Sequence, residues 1–194
     1  MTSSPRFLMF DPTGEGWPGI SLPQVAFAGK SNVGKSSLLN ALAGHRRLAH
    51  VSKTPGRTRG IAFFEVEGRF AFVDLPGYGY AKVSREERTA WKALVEGYFS
   101  SCRLLRKVYL LVDARRGPGE EERMLSGYLA ERGIPYRWVG TKIDEIKAGG
   151  RAAARARFAG PEWLERGGPP VLVSVKTREG IDSLWRDIRA SFSA

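Results

Sequence analysis

One octapeptide constrains this chain more than anything else in it: Gly29-Lys30-Ser31-Asn32-Val33-Gly34-Lys35-Ser36, which has the spacing GxxxxGK[ST]. Glycines at its ends let backbone N–H groups turn inward around a phosphate, and a helix starting directly afterwards adds the positive end of its dipole. Such a loop needs a strand before it and a helix after it, and both are legible. Gln24–Ala28 reads as a short apolar strand, and Lys35–Ala43 as a helix stopped by Gly44. In that setting Lys35 is expected to reach the β- and γ-phosphates of a nucleoside triphosphate, and Ser36 to offer its hydroxyl to Mg²⁺. From this composition the pattern arises by chance in roughly one such sequence in a hundred.

The rest of the chain alternates apolar runs with amphipathic stretches, the signature of an α/β sheet protein. Ile61–Glu67 and Arg69–Asp74 form a hairpin that turns at Gly68, which pairs them antiparallel. Arg85–Ser100 is a helix with Ser84 as its N-cap and Glu86 and Glu87 in the first turn. Lys107–Val112 is a buried strand, Glu120–Arg132 a helix ended by Gly133, and Tyr136–Gly140 the next strand. Ala148–Phe158 is a basic helix, followed by a Gly/Pro loop, a strand over Val171–Ser174 and a closing helix over Ile181–Phe192. The expectation is a three-layer α/β domain: a six-stranded, mostly parallel sheet with one antiparallel strand and helices on both faces. Residues 1–22 read as a lead-in segment and 23–194 as a single domain.

A phosphate loop identifies a nucleotide but not its base. Thr141-Lys142-Ile143-Asp144 supplies the base, because a carboxylate at a strand end can accept two hydrogen bonds from guanine N1–H and the 2-amino group, which adenine cannot offer. Asp74-Leu75-Pro76-Gly77 follows an apolar strand; Asp74 is expected to hold Mg²⁺ through water, and the Gly77 N–H to sense the γ-phosphate. The same DxxG spacing at Asp11–Gly14 is read as accidental, since it precedes the first core strand. Between the phosphate loop and Asp74, Gly56-Arg57-Thr58-Arg59-Gly60 belongs to a segment that can order around Mg²⁺ and a γ-phosphate and loosen on hydrolysis. Thr58 is the better candidate ligand there, and Thr54 the alternative. Ser174-Val175-Lys176, at the last strand's end, suits backbone contact to guanine O6.

Composition limits the partners. The net charge is +11, with 22 Arg to 9 Lys, spread along both halves of the chain. A positive body attracts polyanions, and RNA is the commonest one in a cytoplasm. Solubility or codon bias would produce the same excess. No apolar run reaches the roughly 20 residues a bilayer requires, and one cysteine, Cys102, builds neither a disulfide framework nor a zinc site. The chain is expected in the cytoplasm, as a monomer with no membrane or DNA partner.

The linking residues carry a narrower resemblance. GKSNVGKSSLLNAL, SKTPGRT, DLPGYGYA and TKxD together resemble the EngB family of bacterial ribosome-biogenesis GTPases, within the TrmE-Era-EngA-EngB-septin-like group. The resemblance runs from Gln24 onward, and DLPGYGYA (Asp74–Ala81) is its most specific part. It implies a Ras-like domain, GTP or GDP with Mg²⁺, a role in large ribosomal subunit assembly, and an association with cell division and septum formation. Under it the basic surface faces ribosomal RNA. The Ala/Gly-rich run after Gly149 departs from the family pattern.

Turnover is expected to be slow. Tyr78 stands where many such proteins place a Gln that orients the attacking water, and a phenol is no direct substitute. Asn32 offers a side-chain carbonyl that could help hold K⁺ beside the phosphates; the resemblance points the same way. Asn32 simply shaping the loop is the plainer reading. Lys35, Thr58 and Asn32 are thus the residues expected to act on the phosphates. Arg57 and Arg59 are alternative charge donors. Two rivals stay open: a phosphoryl-transfer enzyme on the same loop, and a GTP-binding RNA adaptor with negligible hydrolysis.

Overall fold

A computed structural model of the protein describes residues 4–14, 16, 19–45, 48–49, 60–79, 84–157 and 168–193. Seven strands form one sheet: β1 (Arg6–Asp11), β2 (Gln24–Gly29), β3 (Ile61–Val66), β4 (Phe70–Asp74), β5 (Leu105–Asp113), β6 (Tyr136–Thr141) and β7 (Val171–Leu172). They lie in the order β1-β3-β4-β2-β5-β6-β7. β3 runs against both its neighbours, and the pairs β4·β2, β2·β5, β5·β6 and β6·β7 are parallel. The hairpin falls at Glu67 and Gly68, both with positive φ (58° and 66°), the backbone that lets two adjacent strands follow the sheet twist.

The seventh strand corrects the expected six. Within the expected lead-in segment, Arg6–Asp11 is a strand that pairs antiparallel with β3 from Arg6↔Glu65 to Asp11↔Ile61. Three of its six residues are exposed, Phe7 and Phe10 among them, and two are half-buried, so the run lacks the unbroken apolar signature of a core strand. The DxxG copy that begins at Asp11 is a turn: the buried carboxylate accepts from the N–H groups of Thr13, Gly14 and Gly16 at 2.7–2.9 Å. Burial alone would raise that carboxyl, but these donors, with the Thr13 hydroxyl, hold it below its ordinary range.

Strand residues alternate between two cores because successive side chains leave opposite faces. Ala26, Ala28, Phe63, Val73, Val108 and Leu110 pack with Leu94, Val95, Tyr98 and Phe99 of α2 (Arg85–Ser101) and Leu129 of α3 (Glu120–Glu131). Val25, Phe27, Phe64, Phe72, Tyr109 and Leu111 pack with Leu38 and Leu39 of α1 (Lys35–Leu42) and with Ile181, Leu184 and Ile188 of α5 (Ile181–Ala190). The latter three recur at i, i+3 and i+7, a helical stripe. α4 (Arg151–Arg157) covers part of the expected basic helix; residues 158–167 lie outside the described set.

Helix starts follow local chemistry. Ser84 accepts from the Glu87 N–H while the Glu87 carboxylate accepts from the Ser84 N–H, each at 3.2 Å, a capping box. α5 is fastened to the sheet by Asp187, which takes the Tyr109 hydroxyl at 2.9 Å, Arg137 at 2.9 Å and Lys107 at 3.2 Å. Among the described residues no helix is long and apolar enough to cross a membrane. The parallel strands β2, β4, β5 and β6 end on Gly29, Asp74, Asp113 and Thr141, so the sequence motifs gather at one end of the sheet.

Candidate functional site

β2 stops at Gly29 and α1 begins at Lys35, leaving the phosphate loop as the connection. Gly29 is needed for close approach: a Cβ there would lie 2.9 Å from Val33 Cγ1 and 3.0 Å from both Cβ and the carbonyl oxygen of Leu111. Gly34 has φ 101°, a backbone that a side chain would strain. Ser36 follows in the first turn of α1, half-buried. The Lys35 ammonium is ion-paired with the Asp74 carboxylate, both side chains largely shielded from water. The phosphate-loop lysine and the DxxG carboxylate therefore share one spot.

The second wall is the loop after β4. Leu75 is a core residue whose N–H donates to the Phe27 carbonyl at 3.1 Å, and the Pro76 carbonyl accepts the Trp91 indole N–H at 2.8 Å. These two residues shape the loop. Gly77 passes so close to the phosphate loop that a Cβ would sit 3.0 Å from Ser31 Oγ. The Ser31 N–H donates to the Tyr78 carbonyl at 3.1 Å, and Lys30 and Tyr78 form a parallel bridge that extends the β2–β4 pairing.

The guanine motif is built into the same body. The Thr141 hydroxyl donates to the Val33 carbonyl at 2.7 Å, and Lys142 Nζ donates to the Asn32 carbonyl at 2.8 Å. Lys142 also lies 3.3 Å from Asp113. Burial would raise the Asp113 carboxyl, but hydrogen bonds from the Arg115 side chain and backbone, joined by Lys142, pull it down to about 2. Ile143 is buried, its N–H on the Val173 carbonyl, which sets a short 3₁₀ turn carrying Asp144. The half-exposed Asp144 carboxylate makes no hydrogen bond or ion pair among the described residues. Beside it, buried Ser174 takes the Thr177 N–H on its hydroxyl at 3.0 Å, which shapes the turn that exposes Val175 and Lys176.

Gly60 lies buried beside the end of β1 at Asp11. Gly56, Arg57, Thr58 and Arg59, and the alternative Thr54, fall outside the described residues. Exposed Asn32 has φ 64°, a left-handed backbone that asparagine tolerates. The side chain of Lys30 turns away from the loop to pair with Glu121 at 3.2 Å and Glu122 at 3.1 Å. Those glutamates, 92 residues along the chain in the case of Glu122, were not singled out from sequence, because nothing local marks them. Tyr78 is buried against Trp91, ring centroids 5.4 Å apart. Burial, reinforced by Glu122 and Glu121, pushes its phenol far above the ordinary range, so it supplies no base.

Residues 24–142 match the family model described as 50S ribosome-binding GTPase. The chain is 54% identical over 129 residues to the probable GTP-binding protein EngB of Thermotoga maritima, an alignment covering 66% of this chain and 66% of that protein. It is 42% identical over 185 residues to the probable GTP-binding protein EngB of Anaeromyxobacter dehalogenans, covering 91% and 85%. Among solved structures, a probable GTP-binding protein engB superposes with a TM-score of 0.69 at 24% identity, over 87% of this chain and 97% of that one. Era in complex with MgGDPNP and nucleotides 1506-1542 of 16S ribosomal RNA superposes with a TM-score of 0.62 at 24% identity, over 86% and 55%. At these identities the two structures speak to the fold, which is the Ras-like P-loop GTPase arrangement.

Proposed function

This chain belongs to the EngB family of GTP-binding proteins, and from that premise we propose that it is a nucleotide-dependent switch in assembly of the large ribosomal subunit, associated with cell division and septum formation. The observation that carries the reading is the clasp of Thr141 and Lys142 on the phosphate-loop carbonyls of Val33 and Asn32, beside an Asp144 carboxylate that is unpaired among the described residues. Base recognition and phosphate binding are thereby one rigid unit, and guanine specificity is tied to the phosphate state. The net charge of +11 supports contact with ribosomal RNA. The protein works in the cytoplasm as a monomer.

Mg²⁺ suits the donors present. Ser36 offers a hydroxyl and Asp74 a buried carboxylate, hard oxygen ligands, and among the described residues no group of three or more His, Cys, Asp and Glu gathers into a protein-only cage. Thr58 is proposed as the second hydroxyl ligand. When bound, the ion neutralises charge on the β- and γ-phosphates. Lys35 then exchanges Asp74 for phosphate oxygens, and the Gly77 N–H meets the γ-phosphate. The buried Tyr78 stands at the position after Gly77 and offers no water-orienting amide, so intrinsic hydrolysis is slow and a partner or K⁺ near Asn32 accelerates it.

Co-sedimentation with purified large subunits in a GTP analogue and in GDP, together with phosphate release with and without subunits, tests this. Binding to the subunits in the GTP-analogue state, and faster release in their presence, is the expected result. Equal binding in both nucleotide states sinks the switch. No phosphate under any condition leaves a GTP-binding adaptor, the reading that the buried Tyr78 favours next.

A further inference from the structure

Between α2 and α3 the surface opens into a cavity of about 480 Å³, within the roughly 300–1,000 Å³ typical of ligand pockets. Trp91, Phe99 and Leu125 give it an apolar wall, and Met124, 69% exposed, stands in its lining as an adaptable contact. Tyr78 and Tyr128 also line it. Both hydroxyl oxygens are shut off from solvent, and neither has a hydrogen-bond partner among the described residues. Tyr78 as a whole is only 9% exposed. Native proteins rarely leave such groups unmet, and here both belong to residues that line one cavity, which points to a partner that meets them once the wall moves.

The charge around the cavity runs against the rest of the molecule. On a chain with a net charge of +11, the lining carries Glu96, Glu121 and Glu131 against Lys92 alone. Lys92 is itself paired with Glu96 at 3.7 Å, and Glu121 with Lys30 at 3.2 Å. Arg132 covers the Tyr128 ring 4.5 Å from its centroid and holds that phenol in place. Among the described residues Glu131 makes no ion pair, so the free charge of this rim draws cationic side chains rather than RNA phosphates.

We propose that this groove docks a short amphipathic segment of a basic protein of the large ribosomal subunit, an inference that rests on the ribosomal reading above. Apolar side chains of that segment enter between α2 and α3, as in helix-in-groove recognition. Its Lys or Arg residues meet Glu96 and Glu131, and as docking opens the wall its polar groups reach the hydroxyls of Tyr78 and Tyr128, which are closed off in the free chain. The groove is wired to the nucleotide. Tyr78 follows Gly77 directly and holds the Ser31 N–H, while Trp91 holds the Pro76 carbonyl. A loop that moves with the γ-phosphate moves one wall of the groove, so docking and nucleotide state influence each other in both directions.

The test places the photocrosslinker benzoylphenylalanine at Met124 in the full chain, loads a non-hydrolysable GTP analogue, adds purified large subunits and irradiates. The expected adduct is with a ribosomal protein. Tyr128→Phe is expected to weaken subunit binding about fivefold while raising the melting temperature, because an unpaired buried hydroxyl has gone. Glu96→Lys with Glu131→Lys is expected to weaken binding about tenfold and leave GDP affinity unchanged. An adduct with RNA, no adduct from a chain that still co-sediments, or unchanged binding by Tyr128→Phe overturns the groove assignment alone. Failure of the unmodified chain to co-sediment overturns the ribosomal reading with it.

Discussion

The ammonium of Lys35 lies against the carboxylate of Asp74, with side-chain exposures of 11% and 9%, so one ion pair joins the start of α1 to the end of β4. Removing either partner alone leaves a shielded charge without its counter-ion, which costs on the order of 3 kcal/mol. Lys35→Ala and Asp74→Ala should each lower urea stability by about that much, and the double variant by clearly less than the sum. Purely additive losses would show that the pair is not energetically coupled. All three variants should lose high-affinity GTP binding.

Asp144→Asn replaces two acceptor oxygens with one acceptor and one donor. Guanine presents two donors and loses a charge-assisted pair; xanthine carries an oxygen where guanine carries its amino group and gains a partner. GTP affinity should fall on the order of 100-fold or more while affinity for xanthosine triphosphate rises. Competition against a fluorescent GDP measures both. An unchanged preference for GTP would remove Asp144 from base recognition.

Asp113 gives a pH signature. Its carboxyl is drawn down to about 2 from an ordinary 3.8, so its charged contacts stabilise the fold fully above about pH 4 and are lost as pH falls toward about 2. Relative to Asp113→Asn, the native chain should be more stable at neutral pH, and the gap should close across that acid window. Melting curves from pH 7 to pH 2 follow it. The variant should also bind GTP more weakly, since Asp113 steadies the Lys142 that grips the Asn32 carbonyl.

Gly29→Ala puts a methyl group 2.9–3.0 Å from Val33 and Leu111. The Leu111 carbonyl is backbone and cannot rotate away, so the loop must shift, at a cost of about 1–3 kcal/mol. A lower melting temperature together with loss of GDP affinity is expected; wild-type values for both would mean that the loop has slack here.

How legible was all this in the sequence? Gly29–Ser36 and Thr141–Asp144 stand out as motifs, because phosphate and guanine chemistry would restrict residue type and spacing together, and the fold brings the two to one end of the sheet. Continuous apolar runs marked β2 and β5, and Ser84 with Glu87 marked the start of α2. β1 escaped because its partner is β3, 50 to 59 positions away, and an edge strand needs no unbroken apolar run. Likewise, Lys30 read as a phosphate-loop residue, while its side chain belongs to Glu121 and Glu122 of α3. Lys142 read as a nucleotide contact, and in the fold it first braces the loop. Contacts between distant segments leave no local trace, and here they decide which motif residues face outward and which hold the others.

β1 has a practical bearing on how the protein is handled. Trimming the chain to begin at Gln24, where the nucleotide motifs begin, would strip the cover from β3 and leave the backbone beside Phe63 and Phe64 unpaired. A bare strand of that apolar character is a template for intermolecular stacking. Shortened preparations should therefore keep their nucleotide chemistry but clump on concentration, and their light scattering should grow with time while the full chain stays clear.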